Sequence, residues 1–301
     1  MQKRSLLRLK ALPVTLILLF NCHTYLAAQE DDIFSELDNI TEEGNHEVIA
    51  AFKSTRLMIG QSIERVRKDQ LHFRISHVFQ KILGVQNFFG LDNLNNMHLS
   101  FEYGLSDFIQ VGLARENVDR TYSGTLKLSL FRQKTGKNSF PLSMSYYLSV
   151  DIKSIDYTPM ERDLYLEGRF DYVNQLLIGS KITDEISLQI APTWVHRNLT
   201  DSVNEPNEIY SVGAGGRYLF SRSMSVNAEY YYTIPTFDAH DATKNMFTIG
   251  FDLETGGHVF QLYFTNANFL HPGKFALNQN GNFFKDRDIN FGFSMLRAFN
   301  M

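Results

Sequence analysis

The stretch Leu142-Ser-Met-Ser-Tyr-Tyr-Leu-Ser-Val-Asp-Ile152 alternates large apolar side chains with serine, tyrosine and aspartate. A helix would space its apolar residues three or four apart, whereas a period of two is typical of a β-strand with two unlike faces. A strand of this length is long enough to cross the hydrocarbon core of a bilayer at a tilt. The stretch therefore predicts one strand of an all-β protein.

Comparable alternation continues from about residue 70 to the C-terminus and gives twelve strand-like segments. They lie near residues 71–76, 97–103, 109–113, 125–130, 142–152, 164–182, 186–196, 209–220, 224–233, 246–253, 258–265 and 288–299. Short turns (106–107, 183–185, 221–223 and 254–257) occur among longer polar connections (153–163, 197–208, 234–245 and 266–286). Short turns at one end and long loops at the other are typical of an outer-membrane β-barrel.

Three features favour a membrane barrel over a soluble exported all-β domain, which would also show alternation. The apolar faces carry very large residues, and the opposite faces carry serines and charges that suit a wet lumen. Aromatic residues near strand ends fit interfacial girdles. These are Tyr103, Tyr122, Tyr172, Trp194, Tyr218, Phe220 and Tyr230 to Tyr232. Because lipid cannot form hydrogen bonds with backbone groups, every one of these groups must be paired within the protein, and the sheet must therefore close. We predict an antiparallel up-and-down transmembrane β-barrel of about 12 strands in the bacterial outer membrane.

The N-terminal part of the chain has a different character. Residues 1–28 have the pattern of a cleaved signal peptide, with a basic start, an apolar run too short to span a bilayer, and small residues at its end. The only cysteine, Cys22, lies within it, so the mature chain has no disulfide. Residues 29–68 are acidic and then basic, and are predicted to form a periplasmic or plug-like segment. Residues 69–301 are predicted to form the barrel.

The last predicted strand alternates apolar residues and carries Phe299 close to the C-terminus. Such a strand resembles the signal that barrel-insertion machinery reads. The predicted partners are therefore this machinery, outer-membrane lipid and a small polar solute. Nucleic acid is excluded as a partner because neither sign of charge dominates the 29 basic and 33 acidic residues.

Charged side chains on the polar faces are predicted to line the lumen and to set its selectivity. They are Arg74, Glu102, Lys127, Asp151, Glu167, Arg169, Asp171, Arg217, Glu229 and Asp252. Twelve strands enclose more space than eight, where side chains fill the interior, and less than a sixteen-stranded porin. The lumen is therefore a narrow pore, a ligand cavity or a blocked core.

Motifs for catalysis, metals and cofactors are weak, and we predict none of the three. His72 and His98 share the predicted lumen face and could together bind a metal ion. Lumen histidines more often form hydrogen bonds with carboxylates or water, so we do not predict a metal site there. His240-Asp241 is a weak suggestion of a catalytic dyad, and no nucleophile elbow is present. Gly213, Gly215 and Gly216 lie in a strand pattern with no helix after them, so they do not form a phosphate loop. They are expected to let the wall bend or a plug approach closely.

Several motifs resemble an uncharacterised bacterial barrel family, domain of unknown function 5777. They are 46–57 with 60–64, Leu71-His-Phe-Arg-Ile-Ser-His77, Asn87-Phe-Phe-Gly-Leu-Asp92, Glu102-Tyr-Gly-Leu-Ser-Asp107 and Pro192-Thr-Trp-Val-His-Arg-Asn198. The resemblance covers most of the mature chain. It implies an outer-membrane-type β-barrel and brings no catalytic residues.

The leading functional hypothesis is a narrow, porin-like channel or solute transporter with a polar, mildly acidic lumen. A non-transporting scaffold that docks periplasmic or surface proteins through residues 29–68 is the alternative. A membrane-embedded enzyme ranks third, because it would need a Ser–His pair that no motif supplies.

Overall fold

The computed structural model describes residues 46–48, 50–154, 166–200, 206–235, 244–275 and 281–301. The predicted signal peptide lies outside these residues. Twelve antiparallel strands close into a barrel, and the predicted fold is confirmed. The barrel strands are β2 (Gln70–Lys81), β3 (Leu94–Gly104), β4 (Ile109–Glu116), β5 (Thr121–Phe131), β7 (Ser143–Lys153), β8 (Phe170–Lys181), β9 (Ile186–Arg197), β10 (Glu208–Leu219), β11 (Met224–Thr233), β12 (Met246–Thr255), β13 (His258–Thr265) and β14 (Asn290–Asn300).

Every strand of the barrel pairs with its neighbour along the chain, and the last strand closes the ring on the first. β14 pairs with β2 from Asn300 opposite Gln70 to Asn290 opposite Lys81, with a register shift between Asn290 and Gly292. Closure satisfies the backbone donors and acceptors that a sheet edge would leave open.

The two faces of the wall differ as the alternation predicts. Along β9, burial alternates strictly for ten residues from Ile186. Leu188, Ile190 and Trp194 point outward and are exposed, while the intervening polar residues point inward and are buried. The outer surface is thus apolar and aromatic. Tyr231 is an exception to the expected girdle, because it alternates inward and is 3% exposed.

The two ends of the barrel are built differently. At the end that we call the turn rim, four connections are short (105–108, 182–185, 220–223 and 256–257), and the main chain of Met301 bonds to Asp69 there. At the opposite end, the loop rim, the connections are 82–93, 117–120, 154–169, 198–207, 234–245 and 266–289. The β5–β7 connection is long although it lies at the turn rim. It contains β6 (Lys134–Thr135), which pairs with β1 (His46–Glu47).

No helix in the described part of the chain is long and apolar enough to cross a membrane.

Candidate functional site in the barrel lumen

The lumen is occupied by the segment Ala50–Lys68, which we call the plug. Its middle folds back on itself: Leu57 N–H donates to the Gly60 carbonyl (2.9 Å), and Ser62 N–H donates to the Thr55 carbonyl (3.0 Å). Both ends of the plug lie at the turn rim. Lys53 Nζ donates to the carbonyl of Arg222 in the β10–β11 turn (2.7 Å), and Lys68 bridges to Gly104 at the end of β3. The plug is therefore a hairpin-like insertion that enters and leaves through one rim.

Apolar side chains of the plug pack against the inner wall. Leu57, Met58, Ile59 and Ile63 are at most 2% exposed and belong to one buried cluster with wall residues. The wall members include Tyr147, Leu177, Tyr231, Met246 and Tyr263. Burial of a Leu, Ile or Met side chain contributes about 1.5–3 kcal/mol. The centre of the lumen is thus a small hydrophobic core rather than a water-filled passage.

Glycines make this close packing possible. A Cβ on Gly215 of β10 would collide with Leu57 of the plug, and a Cβ on Gly60 would collide with Tyr231 and lie 2.7 Å from Glu229 Oε2. The structure therefore supports the expectation that a small residue in this part of β10 lets a plug approach.

Two charged wall residues hold the main chain of the plug. Glu229 Oε1 accepts the amide hydrogens of Ile59 (2.8 Å) and Gly60 (3.2 Å). Lys127 Nζ donates to three plug carbonyls at 2.9–3.1 Å. Those carbonyls belong to Thr55, Ser62 and Glu64. Hydrogen bonds to charged groups contribute more than neutral ones, so both residues are expected to stabilise the plug in its position inside the barrel.

Four uncharged wall residues also hold the plug main chain, and none of them is among the predicted lumen residues. Gln189, Gln110, Gln261 and Ser145 contact the main chain of Gln61, Ile63, Val66 and Leu57 at 2.5–3.0 Å. Like the predicted charges, they lie at inward-facing positions of their strands. Because every second strand residue faces inward, the alternating pattern could have identified them.

Plug side chains add a second set of contacts. Thr55 donates to Glu102 Oε2 (2.6 Å), and Arg74 donates to the hydroxyl of Ser54 (2.7 Å). Near the turn rim, Lys53 pairs with Glu254 at 2.6 Å. Four of the predicted lumen charges, at positions 74, 102, 127 and 229, thus contact the plug.

A second segment enters the lumen from the loop rim. We call residues Asn266–Lys274 the inner loop, and its Ala267, Leu270 and His271 are at most 2% exposed. Leu270 N–H donates to Glu116 Oε1 (3.0 Å). Arg56 Nη1 of the plug donates to the Leu270 carbonyl (3.1 Å), so the two segments meet inside the barrel.

His271 fastens the inner loop to the wall. Its Nδ1 accepts the amide hydrogen of Gly273 (3.1 Å), which leaves Nε2 to donate to Asp151 Oδ1 (3.1 Å). Asp151 also accepts a hydrogen bond from Ser149 (2.7 Å). The serine hydroxyl therefore points to the carboxylate, an arrangement that suits anchoring rather than nucleophilic attack.

Replacing Asp151 with leucine is expected to loosen the inner loop. The change leaves the His271 donor unpaired, a cost of about 1–3 kcal/mol. Amide exchange at Leu270 and Gly273 should accelerate roughly tenfold or more, because 1.4 kcal/mol corresponds to a factor of 10. Hydrogen–deuterium exchange of the folded barrel measures this. Unchanged exchange at both amides would show that Asp151 does not anchor the loop.

Residues 52–299 match a family described as membrane bound beta barrel domain (DUF5777). The chain belongs to this family. No curated protein sequence matches this DUF5777 barrel.

Several solved porins resemble it in part. The KdgM porin has 9% identity and a TM-score of 0.45, and the alignment covers 76% of this chain and 99% of that porin. The NanC porin has 6% identity and a TM-score of 0.47, with coverages of 77% and 100%. A mutant of the Rh. blastica porin has 10% identity and a TM-score of 0.32, with coverages of 72% and 58%.

Eight of the ten predicted lumen residues of this DUF5777 barrel are inward and at most 6% exposed. Besides those already described, Asp171 pairs with Lys153 at 3.0 Å. Asp252 accepts a hydrogen bond from Gln261 (2.8 Å), and Arg217 is 4% exposed. The role of these eight residues in selectivity stays a prediction.

Glu167 and Arg169 are not part of the wall of the DUF5777 barrel, which corrects their predicted position. They lie in the 3₁₀ turn Leu166–Arg169, and β8 begins only at Phe170. Glu167 is exposed at the loop rim. The alternating pattern runs on into the turn, so periodicity placed the start of the strand too early.

No group of three or more potential metal ligands occurs among the described residues of the DUF5777 barrel. His98 lies inward but faces Arg56, whose Nη2 is 3.4 Å from its Nε2. The positive charge of the Arg56 guanidinium beside this ring disfavours binding of a metal cation there. The weak dyad His240-Asp241 lies outside the described residues.

Proposed function

We propose that this protein is a gated outer-membrane channel for small polar solutes, and that the plug holds it closed. The observation that carries the proposal is the single-sided entry of the plug. Because both its ends lie at the turn rim, the plug can withdraw as a unit without threading the chain through the barrel or opening the wall. The proposal involves no chemical reaction.

The wall behind the plug suits such a passage. Without the plug, the inward face presents Arg74, Glu102, Lys127, Glu229 and Asp252 to the lumen. A closed ring of strands needs no plug to satisfy its backbone hydrogen bonds, so the barrel can remain intact when the plug leaves. The charges then act as the selectivity elements of a wet pore.

The topology fits an outer-membrane location. Short turns of such barrels face the periplasm, so the turn rim and the plug entrance are expected on that side. The terminal strand β14, with Phe299, is the expected signal for barrel-insertion machinery, and the apolar outer face is the expected contact with lipid.

The test is conductance in planar bilayers. We expect the mature chain, beginning at residue 29, to be nearly silent, and a chain beginning at Asp69 to give stepwise currents. The cation preference of those currents should fall when Glu229→Gln is added. Glu167→Gln at the loop rim is the matched control and should leave the preference unchanged.

A scaffold function is the second candidate, and the apolar packing of the plug favours it. If the shortened chain folds, as judged by its heat-modifiable mobility on gels, and inserts but carries no current, the channel proposal is wrong. A partner that binds the mature chain through residues 29–68 would then be sought.

A further inference from the structure

The wall recognises the plug mainly through its peptide groups. Ten main-chain atoms of the plug bond to only six wall side chains, at distances of 2.5–3.2 Å. The wall side chains are Gln110, Lys127, Ser145, Gln189, Glu229 and Gln261. All six are at most 5% exposed. Such contacts are independent of the plug's own side chains.

Gln189 illustrates the chemistry. Its Oε1 accepts the amide hydrogen of Ile63 (2.7 Å) while its Nε2 donates to the carbonyl of Gln61 (2.7 Å). A side-chain amide carries a donor and an acceptor, as a peptide group does, so Gln189 bonds to the plug in the way a neighbouring strand would.

The other wall groups complement the peptide groups along the same path. Lys127 supplies a donor to three carbonyls, and Glu229 supplies an acceptor for two adjacent amides. A sugar ring offers hydroxyls but not this sequence of amide donors and carbonyl acceptors. Apolar surfaces of Tyr147, Leu177 and Tyr231 lie beside the path and accommodate uncharged side chains.

We propose that the inner wall is a binding site for the main chain of polypeptides, and that the plug occupies it as an intramolecular ligand. The proposal rests on the proposed function and names its solute class: an oligopeptide rather than a saccharide. Because main-chain groups are common to all polypeptides, the wall binds peptides of unrelated sequence, with preference for small and apolar side chains.

The experiment measures peptide binding to the chain beginning at Asp69, in detergent, by fluorescence anisotropy. Three labelled probes are used: a peptide with the sequence of residues 50–66, the same peptide in scrambled order, and the first peptide N-methylated at Ile59, Gly60 and Ile63. Maltohexaose serves as an unlabelled competitor.

We expect the first two peptides to bind within about tenfold of each other, because single hydrogen-bond differences are worth about one factor of 10. The N-methylated peptide should bind at least about 30-fold more weakly, since it lacks donors for Glu229 and Gln189. Maltohexaose should not compete.

A matched pair of variants tests the site. Gln189→Leu should weaken both unmodified peptides by roughly tenfold. Gln175→Leu is the control, because Gln175 is also buried, on the adjacent strand β8, but bonds to Thr193 of the wall (2.8 Å). If the shortened chain does not fold, the same measurements are made on the mature chain carrying Gly60→Val.

Binding of the native plug peptide alone, with no binding of its scrambled form, would show that the wall is dedicated to its plug and overturn the inference. Full binding of the N-methylated peptide, or of none of the probes, would overturn it as well. Binding is read without current, so a silent barrel that binds peptides contradicts only the channel proposal. A conducting barrel that binds none contradicts only the peptide inference.

Discussion

Replacing Lys127 with methionine is expected to raise the open probability of the mature channel by about 100-fold, the factor that corresponds to roughly 3 kcal/mol. Lys127 is 1% exposed and its ammonium group donates to three plug carbonyls. Each hydrogen bond from a charged donor contributes about 1.5–3 kcal/mol. Removing the ammonium group also removes the cost of keeping its charge buried, so the net loss is smaller than the sum of three bonds.

Single-channel recording in planar bilayers gives the open probability directly. The control is Lys153→Met, which removes the same charge from the wall at a residue that pairs with Asp171 rather than with the plug. It should alter stability but not gating. A Lys127→Met channel as silent as the parent, in a folded and inserted barrel, would mean that these bonds do not hold the plug.

A reversible disulfide between the plug and the wall tests whether the currents depend on movement of the plug. A Cβ on Gly179 would lie 3.3 Å from Cγ2 of Ile63, an atom in the position that a cysteine sulfur would take, so the two positions are suitable for an engineered disulfide. The mature chain has no other cysteine. In Lys127→Met combined with Ile63→Cys and Gly179→Cys, we expect oxidant to abolish the currents and reductant to restore them.

The second large effect is expected from Gly60→Val. Added methyl groups at the tip of the plug would meet the phenol of Tyr231 and the carboxylate of Glu229, both at most 3% exposed. Overpacking of a well-packed interior costs about 1–3 kcal/mol. The plug can avoid this cost by leaving, so the open probability should rise by about 10- to 100-fold.

Gly124→Val is the matched control for this substitution. Gly124 lies on the outer face of β5, and a Cβ there has no neighbouring atom within 4 Å. It should leave both folding and gating unchanged. If Gly60→Val lowers the denaturant midpoint of the barrel without producing current, the plug is an integral part of the fold and not a gate.

The sequence predicts the barrel well because its signal is periodic. Alternation identifies both faces of twelve strands, and the turn residues identify most connections. The pattern fails at strand ends, where Glu167 and Arg169 keep the parity of β8 but belong to a turn. No local rule separates the last strand residue from a turn residue of similar polarity.

The contents of the lumen are harder to predict. The plug has no regular secondary structure, so no periodicity marks which of its residues are buried. Its position depends on pairings such as Ile59 with Glu229, which are 170 residues apart in the chain. Charged residues on a lumen face can be selected from the sequence. By contrast, Gln189 and Gln261 can be recognised as contacts of the plug only when the position of the plug is known.

The plug is joined to β2 by the chain itself, and this connection also determines how the passage through the barrel closes. Asp69 alone separates Lys68 from the first barrel strand, so a withdrawn plug remains tethered at the turn rim. A short flexible tether gives an effective concentration of order millimolar. Any free peptide must therefore compete with the tethered plug for the same wall residues, and an opening is brief unless something outside the lumen retains the plug.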